Sequence, residues 1–348
     1  MSGASPRVPA GPSRAIARWT RLSTGFTTGF GGLVIALVFV PVAFGANTTQ
    51  EMTTLLILVL MAVMWNALAG YGGLVSIGQQ AYIGLGAYAT VWLANHSVNP
   101  YLAMVLATLF CGVVAIPLSF LMLRFRGAQF AIGTWVVAEA LAIYVSFDNA
   151  LGAGSGTSLS QIDSYAPGPR EHYTYWLTLA MTAFFIGVLF VLLRSRLGSS
   201  LQAIRDDEDA AASVGVRVVA GKRILFLLAA TGAGAVGAMT LANTLFIEPT
   251  AIFSVNYTAF MIFMVLVGGL GTFEGPIIGA IVLYLIQQWF GNDGVWYLVG
   301  LGGAAMAFAL LLPRGVWGTL EERTGLRFMP VGYRVQPAAP THSAEEGR

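Results

Sequence analysis

Glu139 is an ionisable side chain in the middle of a long apolar run, residues 128–147. A carboxylate at the centre of a bilayer is costly unless it meets a partner or water, so it is a functional candidate by default. Either it lines or shapes a solute pathway, or it is a protonated or hydrogen-bonded strut inside a helix bundle. Uncharged polar residues recur in or beside neighbouring apolar runs: Asn66, Ser76, Gln79, Gln80 and Asn243. Each offers hydrogen bonds to a passing solute, or glues helices together where lipid supplies no partner. Covalent and metal chemistry have less footing. His96, His172 and His342 are far apart, and the single cysteine, Cys111, sits in an apolar run. That cysteine count excludes a disulfide framework. The nearest phosphate-loop pattern, Gly215 to Gly221-Lys222-Arg223, has five intervening residues. The motif requires four, and Arg stands where Ser or Thr would hold magnesium. No bound cofactor and no intramembrane enzyme are expected.

Composition says what must position these side chains. Of 348 residues, 56% are hydrophobic and 10% charged, against about 25% charged in soluble domains. Too few charges remain to cover a soluble surface. A net charge of +2 gives no case for nucleic acid. Spanning a bilayer takes about 20 apolar residues per helix. Ten runs qualify as candidate spans: 29–46, 52–70, 78–95, 101–123, 128–147, 174–193, 224–246, 256–270, 276–290 and 295–312. The expected fold is therefore an all-α polytopic membrane protein of about ten helices. The first span follows a 28-residue tail and is expected to be retained rather than cleaved as a leader.

Two glycine-rich interruptions divide these runs. One is Gly70, Gly72 and Gly73; the other is Gly268, Gly269, Gly271, Gly275 and Pro276. The spans flanking the second are short, since fifteen helical residues reach only about 22 Å. Broken backbone inside a membrane is tolerated where protein or a water-lined cavity satisfies it, and it points to a transport pathway. The plainer alternative is close helix packing.

Loops facing the cytoplasm collect Lys and Arg. With ten spans, 17 of the 18 basic residues fall on one side and Arg170 alone on the other. Both termini are thus expected in the cytoplasm, with tails 1–28 and 313–348, the latter flexible, flanking a membrane domain 29–312. The outer loops carry acids, including Asp163 and Asp293, and the outer segment 148–173 is long and polar. The inner loop 194–223 is long and charged, with a helix expected over 199–214 and Gly215 as its cap. A helix held along the membrane between two spans can transmit force from a cytoplasmic motor, or it is a solvated connector.

Several stretches together resemble a known family. Asn66-Ala67-Leu68-Ala69-Gly70-Tyr71-Gly72-Gly73-Leu74-Val75-Ser76-Ile77-Gly78 resembles the N-x-L-A-G-Y-x-G-x-x-S-x-G stretch of branched-chain amino acid ABC transporter permeases. Arg126 to Glu139 is similar to that family's fifth span, and Gly154-Ser155-Gly156 to its outer glycine stretch, with Thr157 where Leu is usual. Arg196-Leu197-Gly198 through Glu208 is similar to its cytoplasmic loop, and Gly268 to Ala280 to its late glycine break. The likeness is greatest to the M-type subunit. It implies a multi-pass protein of the plasma (inner) membrane that hydrolyses no ATP itself. It also implies partners: a second, H-type permease, two cytoplasmic ATPases and an extracytoplasmic binding protein. Ala203, Arg205, Asp206, Asp207, Glu208, Asp209, Ala210 and Gly215 would then form the ATPase-coupling surface. Against the general importer loop pattern, Asp209 replaces Glu and the final Pro is missing. Leucine, isoleucine and valine, or urea, amides and small carboxylates, are the solutes implied. A proton-coupled carrier using Glu139, or a scaffold, are the alternatives.

Overall fold

The computed structural model describes residues 14–17, 21–159, 161–162, 165–291, 294–312, 314–324 and 334–337. Most of the two tails, and the outer-loop acids Asp163 and Asp293, lie outside them. The helices are α1 Arg21–Val38, α2 Val40–Ala43, α3 Ala46–Asn66, α4 Gln80–Asn95, α5 Pro100–Met122, α6 Ala128–Phe147 and α7 Pro167–Arg194. They continue as α8 Arg196–Asp206, α9 Glu208–Ser213, α10 Val218–Thr244, α11 Pro249–Ile252, α12 Asn256–Gly268, α13 Gly275–Phe290, α14 Val295–Leu311 and α15 Gly315–Thr324. Four short strands complete the order: β1 Arg14–Ala17, β2 Thr157–Ser158, β3 Phe246–Ile247 and β4 Arg334–Pro337. β1 pairs antiparallel with β4, and β2 with β3.

Among the described residues, seven helical segments are long and apolar enough to cross a membrane, with Thr28–Val38 and Gly275–Phe290 as shorter apolar helices. Each of the ten expected spans contains a helix. Starts are set by local chemistry. Proline opens α5, α7 and α11 and sits in the first turn of α13, where its missing N–H leaves no bond unmade. Asn99 adds a side-chain cap to α5 through the Tyr101 N–H.

α3 and α10 form the core, 78% and 72% buried over their most apolar windows, whereas α6 is 22% buried. α10 packs against α3, α4 and α5. Its stripe of Gly and Ala lets backbones approach closely: a Cβ on Gly86 of α4 would strike the carbonyl of Gly234 in α10. β2–β3 pairing holds the segment between α6 and α7 to the end of α10.

Two features break the regular spans. α3 runs on into a π-turn, Ala67–Tyr71, and then into extended chain before α4 begins at Gln80. After α10 the chain turns back through β3 and α11, so that α12 is only 13 residues long. A second interruption, residues 269–274, separates α12 from α13.

Candidate functional site

The two glycine interruptions meet each other. The Asn66 side chain donates to the Thr272 carbonyl at 2.8 Å and accepts from the Gly271 N–H at 2.9 Å. Both ends of this amide are thus engaged on one loop. Gly70 touches the Gly271 backbone so closely that any Cβ would collide with it. Gly271 at φ +75° and Gly269 at φ +132° turn the loop through angles that L side chains avoid. The Thr272 hydroxyl bonds the Gly269 carbonyl at 2.7 Å and accepts from the Gly275 N–H at 3.1 Å. Gly268 packs against the Gly275 carbonyl, and Pro276 is buried in the first turn of α13. Gly72 packs on Leu225, and Gly73 carries φ +64° where the π-turn opens into extended chain. Asn66, a pathway candidate by sequence, is a clamp in this conformation.

Arg205 completes the clamp. Its Nη1 donates to the Gly70 carbonyl at 3.0 Å and lies against Gly271. Carbonyls at a helix end lack intrahelical partners and favour a cation. The guanidinium thus reaches the breaks while the side chain stays 43% exposed and lies 3.6 Å from Asp206, so this contact does not remove Arg205 from the surface of the loop.

The loop carrying Arg205 is two helices rather than the single one expected over 199–214. Asp207 takes an extended conformation and caps α9, accepting from the Asp209 and Ala210 N–H groups at 3.0 and 2.9 Å. An acidic cap satisfies the first N–H groups of a new helix better than it continues an old one. Leu201 and Ile204 are the buried side of α8. Ala203, Asp206, Asp207, Asp209 and Ala210 are exposed. Glu208 bonds Lys222 at 2.5 Å and lies 3.7 Å from Arg126, which is also 3.7 Å from Asp209. Part of the acidic run is thereby held within the chain. Gly215 ends α9 at φ +86°. The Val216 N–H bonds the Ala211 carbonyl and the Gly215 N–H that of Ala212, the paired bonds of a glycine-terminated helix.

A second polar cluster lies where α4 begins. The Trp65 indole donates to the Ser76 carbonyl at 3.0 Å, and the Ser76 hydroxyl accepts from the Gly78 N–H at 3.2 Å. The Ile77 N–H donates to Thr134 Oγ1 at 3.3 Å. Thr258, near the start of α12, donates to Gln80 Oε1 at 2.6 Å. Ser76, Gln79, Gln80, Thr134 and Thr258 are all buried. Both amide atoms of Gln79, and Nε2 of Gln80, are buried without a hydrogen-bond partner. Sequence reasoning missed Thr134 and Thr258. A threonine near a span start carries no distinguishing pattern, because its hydroxyl usually bonds its own helix.

The remaining candidates lie apart. Glu139 is on the exposed face of α6, its Oε1 accepting from the Trp135 indole at 3.0 Å. Ile132, Val136 and Ile143 around it are also exposed. Within this chain alone Glu139 therefore does not face the bundle interior. Asn243 is at the far end of α10, bonding Thr54 Oγ1 at 3.1 Å. It lines a cavity of about 210 Å³ with Gln50, Thr53, Arg170, Glu171 and Thr174.

Residues 47–312 match the family described as branched-chain amino acid transport system / permease component. Two relatives, each named "High-affinity branched-chain amino acid transport system permease protein LivM", come from Escherichia coli (strain K12) and Salmonella typhimurium (strain LT2). Each is 26% identical over 313 residues, covering 82% of this chain and 73% of the relative. A solved chain described as a metal-chelate type ABC transporter in an inward-facing conformation is 13% identical, with a TM-score of 0.41. That match covers 87% of this chain and 99% of the other.

Proposed function

The chain belongs to the branched-chain amino acid transport system permease family, and from that premise we propose a transmembrane subunit of an ATP-driven importer of branched-chain amino acids. One observation carries the mechanism: the 194–223 loop has two working sides. Inward, Arg205 holds the Gly70 carbonyl and Leu201 and Ile204 are buried. Outward, Ala203, Asp206, Asp207, Asp209 and Ala210 are exposed. A separate ATPase pressing on that outer side moves the clamped ends of α3 and α12 together. Coupling needs the motor's two states to contact the loop differently. The chain itself hydrolyses nothing.

The partners follow from the same reading: two cytoplasmic ATPases, a second permease and an extracytoplasmic binding protein. The loop and both tails face the cytoplasm, which the basic asymmetry and the β1–β4 pairing of the tails support. Glu139 on its exposed apolar face is covered by the second permease or by the pathway between the two. A cysteine at Ala203 or Ala210, crosslinked against a cysteine scan of the ATPase surface, tests the loop. Efficient crosslinks are expected there. Crosslinks only from 124–127 or from the C-terminal tail would assign the contact to another segment.

A further inference from the structure

We propose that the junction where α4 and α12 begin is the amino acid's polar docking point inside the membrane, with the Gln79 and Gln80 amides holding its carboxylate and ammonium groups. This deepens the transport reading and rests on it.

Depth comes first. Gln80 is the first residue of α4, whose last is Asn95, about 22 Å further along the helix. Thr258 lies ten residues before the end of α12, about 15 Å from the Gly271 clamp side. The 2.6 Å bond between Thr258 and Gln80 therefore ties two helix starts well inside the hydrocarbon thickness. Each start presents the positive end of a helix dipole. The α4 start has no side-chain cap at Gln79, whereas the Asn256 N–H that opens α12 donates to the Ser254 hydroxyl at 3.2 Å.

Hydrogen-bond supply comes second. Gln79 and Gln80 are 2% and 0% exposed. Thr258 fixes Gln80 Oε1, which aims this side chain at the first turn of α12 and leaves its Nε2 unpartnered. Gln79 has both a donor and an acceptor unpartnered. A buried amide in that state is unfavourable until something bonds it. An α-amino acid supplies what is needed: a carboxylate to accept from the two Nε2 groups and an ammonium to donate to Gln79 Oε1. Ser76, Thr134 and Thr258, which complete the cluster, are neutral. Helix ends and neutral amides without a full countercharge hold a zwitterion without trapping it, as passage demands. Here the junction is closed, with Gly78 packed on the Thr134 backbone. Opening it means parting Gln80 from Thr258, and α12 ends at the Arg205 clamp that the loop can pull.

The test uses the complete complex with its ATPases, second permease and binding protein in lipid vesicles, and leucine as the probe. Wild-type uptake of leucine checks the transport reading by itself. Given that uptake, Gln79→Glu keeps the shape but opposes a carboxylate. It should lower maximal uptake about tenfold or more, with the complex assembling as the parent does on size exclusion. Gln79→Leu should lower uptake likewise. Uptake unchanged in both variants would overturn the proposal and leave the junction a hydrated structural knot. Should either variant fail to assemble, the wild type decides. Solid-state dephasing between ¹³C-carboxyl leucine and ¹⁵N-glutamine side chains should appear in the trapped complex and vanish in Gln79→Leu/Gln80→Leu. Its absence from the wild type would overturn the proposal equally.

Discussion

Asn66 and Gln79 are both buried side-chain amides at interruptions of the same stretch of chain, yet they are used oppositely. Asn66 has its donor and its acceptor bonded to the Gly271–Thr272 backbone. Gln79 has neither end bonded. A fully bonded amide fixes one arrangement and has nothing left for a solute. An unbonded one is unfavourable in the closed state and gains when a polar group arrives. Residue type and burial alone do not separate the two amides; on the docking proposal, hydrogen-bond satisfaction does.

The largest expected effect tests the clamp. Asn66→Leu strands the half-buried Gly271 N–H and Thr272 carbonyl, at a cost toward the lower end of the roughly 1–3 kcal/mol that an unbonded buried group carries. The solubilised protein should lose most of its yield as a single species on size exclusion. A variant as stable as the parent would show that the two breaks are not held by Asn66.

Arg205→Lys is the next test. Lysine keeps the charge but loses the planar fork that reaches the Gly70 carbonyl while lying on Gly271. Folding should persist, and solute moved per ATP should fall several-fold, less than the roughly tenfold or more of a fully buried charged hydrogen bond because the side chain is 43% exposed. An unchanged ratio would mean the loop is not tied to the breaks through this residue. Gly215→Val acts on the same loop from its other end. It forces a β-branched residue to φ +86°, costing about 1–2 kcal/mol, and should uncouple hydrolysis from uptake with the membrane helices intact.

Glu139→Ala should be milder for the isolated chain, because its carboxylate is exposed and bonded only to Trp135 among the described contacts. Thermal unfolding of the lone subunit should shift by no more than about 0.5 kcal/mol. Transport by the full complex should fall further than assembly does. Equal transport by variant and parent would remove Glu139 from the pathway. Arg126→Ala should have the smallest effect. Its two 3.7 Å ion pairs involve a side chain that is 72% exposed, and such pairs are screened by water.

Much of the architecture was legible in the sequence. Apolar run length marked where helices form, seven of which among the described residues are long and apolar enough to cross a membrane; glycine clusters marked both interruptions, and charge marked the loop that carries Arg205. Facing direction was not legible. Glu139 looked interior because it is mid-span, but α6 turns that side outward, and a uniformly apolar helix gives no periodic signal for orientation. The split of the loop at Asp207 was hidden because an acidic run reads equally as helix surface or as a cap. The short span at 256–270 was legible, and α12 begins at Asn256, but the fold-back of β3 and α11 before it was not, because hydropathy does not register it. The partnering of Asn66 with Gly271 spans more than two hundred residues, beyond any local pattern.

The central claim is that this chain moves a solute by ATP-driven motion of the loop and the broken helices joined to it. Uptake of radiolabelled leucine into vesicles bearing the complete complex measures this most directly. Accumulation should require internal ATP and the loaded binding protein, and should survive a protonophore. Accumulation by the chain without ATPases, driven by a proton gradient and abolished by the protonophore, would contradict the account.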